Sequence, residues 1–189
     1  MFHGSPFKVL KMPAGMAAVV ILAGLEMVMG GCQQYATYPP VEVTARMQRP
    51  AAEPVPTIIA DAVLYARDNF VGGQALPINL PEEVPATVYE KVFTHLDGGR
   101  PMQIPGERAI HITEVRTRAM HAQVDMMYPT PKGFYQFVTL TLERSVLESW
   151  RVKSERKWAM RDVRPPTPNF VPPPPTDEPQ QQTAQVGGS

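Results

Sequence analysis

The chain contains a single cysteine, Cys32, among its 189 residues. No disulfide bond can form within the chain, so a disulfide-stapled fold and a cysteine-rich zinc module are both excluded. The chain also lacks an excess of either charge, because 18 Lys and Arg residues balance 18 Asp and Glu residues. Net charge therefore indicates neither a nucleic acid nor any other strongly charged partner. No uncharged apolar run reaches the ~20 residues that a membrane-spanning helix needs.

The first 32 residues combine a basic start, a short apolar run and small residues. Two lysines precede the uncharged run AGMAAVVILAGL at residues 14–25, and two glycines stand directly before Cys32. This pattern is typical of a secretory signal peptide. The stretch VMGGC that ends at Cys32 resembles the lipobox of bacterial lipoproteins. The alternatives are an ordinary signal peptide or a single membrane anchor that happens to end near a cysteine.

The lipoprotein resemblance implies that residues 1–31 are a signal peptide and that Cys32 is the site of lipid attachment. In that family the thiol receives a diacylglyceryl group, the signal is cut before the cysteine, and the new amine is usually acylated. Two or three acyl chains give stable attachment, because each buried methylene contributes ~0.8 kcal/mol. Gln33, which follows the cysteine where other members carry Asp, implies the outer membrane, with the protein facing the periplasm.

Two proline-rich segments flank the centre of the chain. Residues 32–56 contain five prolines and no sustained apolar period, so we predict a semi-rigid tether between the lipid and the domain. Residues 164–189 are rich in proline and glutamine, which predicts a disordered or polyproline II tail. A proline tract of this kind can also bind an aromatic groove.

Residues 57–163 are the predicted folded domain. Apolar residues recur at helical spacing in 57–71 and 85–97, and each segment is followed by a glycine pair. An extended connector or very short strand is predicted at 77–81. Two-residue alternation predicts three strands in 120–128, 134–143 and 150–160, while 110–113 either begins the first strand or forms a separate one. Helices followed by a strand meander predict an α+β domain with the helices packed on one sheet face.

The last predicted strand reads WRVKSERKW at 150–158, with two tryptophans around a charged stretch. With the order of helices and strands, it resembles the closing strand of the NTF2-like superfamily. That family implies a curved sheet and a cone-shaped cavity, which Phe93, Tyr128, Trp150 and Trp158 would line here. No catalytic residue is carried over from the resemblance. The alternative is that these side chains are ordinary packing core.

Few residues of the sequence are candidates for catalysis or metal binding. His121 and Asp125 share a predicted strand face, but four residues along a strand span ~13 Å, too far to ligate one ion together. The chain carries no phosphate-binding loop, no dinucleotide glycine fingerprint and no HExxH motif. We therefore predict no enzyme activity, no cofactor and no metal.

We interpret the chain as a membrane-anchored envelope lipoprotein that binds an envelope protein or cell-wall polymer and no nucleic acid. The alternative is a module that binds a small apolar ligand; the oligomeric state is left open.

Overall fold

The computed structural model describes residues 34–172, except positions 43, 147 and 165. The predicted signal peptide, Cys32 and the tail beyond 172 lie outside the described residues. Within them the chain forms two helices and a mostly antiparallel seven-stranded sheet, so the predicted α+β class is confirmed. The elements in chain order are β1 (Ala36–Tyr38), β2 (Ala45–Arg46), α1 (Val55–Asn69), β3 (Ile78–Asn79), α2 (Ala86–His95), β4 (Ile110–Arg118), β5 (His121–Pro129), β6 (Tyr135–Glu143) and β7 (Arg151–Asp162).

The sheet order is β2-β1-β4-β5-β6-β7, and β3 lies parallel to the first part of β4. Strands β4 to β7 are an antiparallel meander, as the strand alternation predicted. The segment 110–113, for which two readings were open, begins a separate nine-residue strand. The short 118–121 and 129–135 connections leave little freedom of register, because hairpin loops fix which residues pair.

Helix α1 lies on the sheet and contacts all four strands of the meander, whereas α2 contacts only α1 among the described elements. The buried residues of α1 include Ile58, Ile59, Ala62, Val63 and Ala66. Both helices start and end within two residues of the predicted bounds. Helix α1 stops where Gly73 takes a positive φ of 79° and its N–H donates to the Arg67 carbonyl at 2.8 Å, a closure that favours glycine.

The sheet begins inside the segment that was predicted to be a tether. Strand β1 pairs with β4 through Thr37 and Arg116, and β2 pairs with β1. Thr37 and Met47 are buried. The folded domain therefore starts about twenty residues before position 57. Strands of two and three residues are too short to show the two-residue alternation of a strand. The prolines around them therefore led to the prediction of a tether.

The first part of the predicted tail also packs against the domain. The backbone N–H of Asn169 donates to the Asn79 side chain at 2.9 Å, and the Asn169 amide donates to the Leu80 carbonyl at 2.9 Å. The Phe170 ring lies edge-on to Tyr89 with 5.0 Å between ring centroids. We call residues 166–172 the arm. The prediction of an unstructured tail is thus wrong for the arm, because the side-chain amide of Asn79, far away in the sequence, bonds to its backbone at Thr167 and Asn169.

Candidate functional site

The sheet face opposite α1, which we call the open face, carries a row of polar side chains. Glu114 on β4, Asp125 on β5, Thr139 on β6 and Arg156 on β7 are successive cross-strand neighbours. Side chains directly opposite each other on one face of adjacent strands are within contact distance. The meander therefore brings four residues that are far apart in sequence into one line.

Hydrogen bonds connect this row. The Arg116 guanidinium Nη2 donates to Asp125 Oδ2 at 2.7 Å, and the Thr139 hydroxyl donates to Asp125 Oδ1. Arg116 also lies 3.5 Å from the Glu114 carboxylate. Partial burial raises the pKa of Glu114; the nearby Asp125 carboxylate adds to the rise, and Arg116 opposes it. The charges of Arg116 and Asp125 are thus paired on a face that is half-buried rather than freely solvated.

Trp158 lies at the end of this network. Its indole Nε1 donates to Thr139 Oγ1 at 2.9 Å, and the Arg156 guanidinium stacks on its ring at 4.2 Å from the centroid. The residue is nevertheless 40% exposed, and its neighbour Met160 is 61% exposed. A pocket of about 210 Å³ lies beside them, with Phe137 and Asp125 in its wall. The open face therefore presents a large aromatic side chain that is held in one orientation and is accessible.

The inward orientation predicted for Trp158 is wrong. Val152 pairs with Leu142 and Ser154 pairs with Thr141, so β7 holds one extra residue, Lys153, between two consecutive residues of β6. Such a bulge reverses which side chains face which side of the sheet. From Ser154 onward, the residues that strict alternation assigned to the core lie on the open face.

Glu155 and Lys157, which alternate with the open-face residues of β7, lie on the helix side instead. The Tyr65 hydroxyl donates to Glu155 Oε2 at 2.9 Å, and the Lys157 ammonium lies over the Phe70 ring, 4.9 Å from its centroid. Arg151, Lys153 and Lys157 are all exposed to solvent. Lys157 is exposed at the sheet edge beside α1, however, and not on the open face.

The four residues predicted to line one cavity do not come together. Tyr128 stacks on Phe70 at 4.4 Å, and Trp150 is buried in the core on the helix side. Phe93 packs against Tyr89, while Trp158 lies on the other side of the sheet. The prediction of a shared cone lined by Phe93, Tyr128, Trp150 and Trp158 is therefore wrong, because the sheet separates Trp158 from the others.

The three histidines after residue 32 are also separate. His95 Nε2 contacts Glu53 at 2.8 Å and Thr57 at 3.3 Å, so one ring nitrogen makes both contacts and no proton relay runs through the ring. His121 lies 3.7 Å from Glu143, and His111 is buried on β4. Within residues 34–172, no group of three or more His, Cys, Asp or Glu side chains could hold a metal ion.

No protein-family profile, no curated protein and no solved structure matches this chain. The resemblances to bacterial lipoproteins and to the NTF2-like superfamily therefore stay predictions from the sequence. The geometry of the open face is the basis for a functional proposal.

Proposed function

We propose that the protein is a non-enzymatic lipoprotein of the bacterial cell envelope, whose domain binds a protein partner through the open face around Trp158. Cys32 carries the lipid and anchors the chain in the outer membrane on its periplasmic side. The observation that supports partner binding is the orientation of Trp158, exposed yet fixed by Thr139 and Arg156.

The side chains around Trp158 have the composition of a protein interface. Tryptophan, arginine, methionine and phenylalanine are enriched where two proteins bury a common surface, and tryptophan and arginine dominate its binding energy. Here Arg156, Met160 and Phe137 surround the indole. Because hydrogen bonding and stacking already restrict the Trp158 ring, binding would cost little additional side-chain entropy.

The anchoring proposal depends on the sequence before residue 34. None of the helices between residues 34 and 172 has the length and hydropathy needed to cross a membrane. The pattern ending at Cys32 supports a lipid anchor, and residues between Cys32 and β1 would connect it to the domain. That connection is much shorter than the tether predicted from the prolines, so the domain would lie close to the membrane surface.

The binding proposal is tested by site-specific photo-crosslinking in the producing cell. A photoreactive amino acid at Met160 should give a discrete adduct with another protein, whereas the same group at Glu90, an exposed position on α2, should not. Adding Trp158→Ala should abolish the adduct at position 160 without unfolding the domain. An unchanged adduct in Trp158→Ala, the same adduct from position 90, or no adduct would contradict the proposal. An adduct with a second copy of the chain would replace it by self-association.

The anchor is tested by mass spectrometry and fractionation of protein from its own host. A mature chain that begins at a lipid-modified Cys32 is expected, and Cys32→Ser should move the folded domain from the membrane to the soluble fraction. Retention of residues 1–31 on an unmodified thiol would overturn the assignment. So would a Cys32→Ser variant that still sediments with membranes after a carbonate wash.

An apolar pocket favours one alternative, the binding of a small apolar ligand. It has a volume of about 190 Å³ and lies between α1, the end of α2 and β3, with Val63, Leu76, Ile78 and Leu96 in its wall. Its position differs from that of the cone implied by the NTF2-like resemblance. Saturable binding of a short-chain hydrocarbon, lost in Leu76→Gln and retained in Trp158→Ala, would favour this alternative.

A further inference from the structure

A third pocket, which shares only Thr113 with the pocket beside Trp158, lies where β3, β4 and the arm meet. Its volume is about 440 Å³. His111, Asn79 and Thr113 line it from the strands, Glu82 and Glu83 line it from the loop after β3, and Pro166 and Asn169 belong to the arm. Nothing in the proposed partner binding uses these residues.

The His111 ring is the unusual group in this pocket. The residue is only 2% exposed, yet neither ring nitrogen has a hydrogen-bond partner among the described residues. Its ring packs edge-on against Tyr135, with 5.3 Å between the centroids. Buried polar groups are normally paired, and those that are not paired call for an explanation. A bound molecule with a hydrogen-bond donor would provide a partner for the ring nitrogen that carries no proton.

The charge around the pocket indicates the class of that molecule. Its wall contains the carboxylates of Glu82 and Glu83 and no lysine or arginine. Arg46 lines an adjoining pocket together with Glu82 and Glu83, but it forms no salt bridge with them among the described residues. Burial lowers the pKa of His111 to about 4, so at neutral pH the ring is uncharged and one nitrogen accepts a hydrogen bond.

The arm forms one wall of the pocket and is held mainly by polar contacts. The Asn79 amide donates to the Thr167 carbonyl at 2.8 Å and accepts from the Asn169 N–H at 2.9 Å. Both His111 nitrogens are covered from solvent. A ligand can therefore reach the ring only if part of the pocket wall moves, and the arm belongs to that wall through Pro166 and Asn169.

We infer that this pocket binds a small organic amine, whose ammonium group donates to His111 and is neutralised by Glu82 and Glu83. This site does not depend on the lipid anchor or on partner binding at Trp158. An anion would meet two carboxylates, and no lysine or arginine of the described residues lines this pocket to offset them. A neutral alcohol would bond to His111 but has no positive charge to neutralise the carboxylates. The pocket should therefore discriminate among these three classes.

The test is calorimetric titration of the full chain with putrescine, compared with 1,4-butanediol and succinate. Saturable binding is expected for putrescine alone. His111→Phe keeps a planar ring against Tyr135 but removes both nitrogens, so it should weaken putrescine binding at least tenfold. The double variant Glu82→Gln/Glu83→Gln should do the same. Glu90→Gln, which removes an exposed carboxylate from α2, should bind like the unaltered protein.

Several results would overturn the inference. They are the absence of saturable putrescine binding, equal binding of butanediol, full affinity in His111→Phe, and an equal loss in Glu90→Gln. If His111→Phe does not fold, the Glu82→Gln/Glu83→Gln variant and the nitrogen NMR signals of the His111 ring decide. Putrescine should shift those ring signals in the unaltered protein, and unshifted signals would contradict a bond to His111.

Discussion

The two faces of the sheet are built from alternate residues of the same strands, yet they differ in chemistry. On β6, Leu140 and Leu142 are fully buried beneath α1, whereas Thr139 and Thr141, which alternate with them, face the other way. The helix side is a continuous apolar core, and the open face is a hydrogen-bonded network that ends at an exposed tryptophan. The comparison shows that apolar packing is concentrated on the helix side, while the open face carries the exposed side chains on which the proposed partner binding depends.

The largest difference between the faces should appear in truncations on β6. Leu140→Ala removes a side chain that is 0% exposed and should lower the free energy of unfolding by about 2–5 kcal/mol, because it leaves a cavity. Thr141→Ala on the open face is the matched control and should cost less than about 1 kcal/mol. Urea unfolding monitored by circular dichroism measures both. Equal losses would contradict the assignment of the two faces.

Acid should destabilise the domain through His111. Its folded-state pKa of about 4 lies below the ordinary value of 6.5, so the unfolded chain binds the proton first. The stabilisation by the neutral ring is complete above pH 6.5 and is lost as the pH falls toward 4, by up to about 3 kcal/mol. Stability should therefore fall less over this range in His111→Phe than in the unaltered protein. Since both share all other titrating groups, parallel pH profiles would contradict the assignment.

Removing the central carboxylate of the open face should have an intermediate effect. Asp125→Ala leaves Arg116 and Thr139 without their shared acceptor and should cost about 1–2 kcal/mol, since the charged pair is only half-buried. A double-mutant cycle with Arg116→Ala measures the coupling by chemical denaturation. Additive losses would show that the bond contributes no stability of its own.

The smallest effect on stability should come from Trp158, and fluorescence of the two tryptophans reports the environment on each side of the sheet directly. Trp158→Phe should change the free energy of unfolding by about 1 kcal/mol or less. It leaves Trp150, 5% exposed, so emission should be blue-shifted and protected from acrylamide. Trp150→Phe leaves the exposed Trp158, whose emission should be red-shifted and readily quenched. The reverse assignment of the two spectra would place Trp158 in the core, as strict alternation predicted.

Much of the fold could be predicted because helical and strand periods are local properties. The apolar stripe of α1 and the alternation of Ala122, Val124, Met126 and Tyr128 on β5 appear directly in the sequence, and the structure buries them. The pairing of β1 with β4 and the docking of the arm could not be predicted. Those contacts join residues about eighty or more positions apart. They are made by backbone groups and single amides, which produce no periodic pattern in the sequence.

The sequence by itself determined the α+β class, the two helices and the meander, because burying apolar side chains at a fixed period specifies each element separately. It also carries the pattern at Cys32 on which the proposed anchor depends. Only the tertiary structure decided which face each side chain of β7 occupies. One extra residue at Lys153 reverses the alternation of the strand, and this places Trp158 beside Thr139 and Asp125 rather than in the core. Strand pairing across the sheet sets that register, and the pattern along a single strand does not contain it.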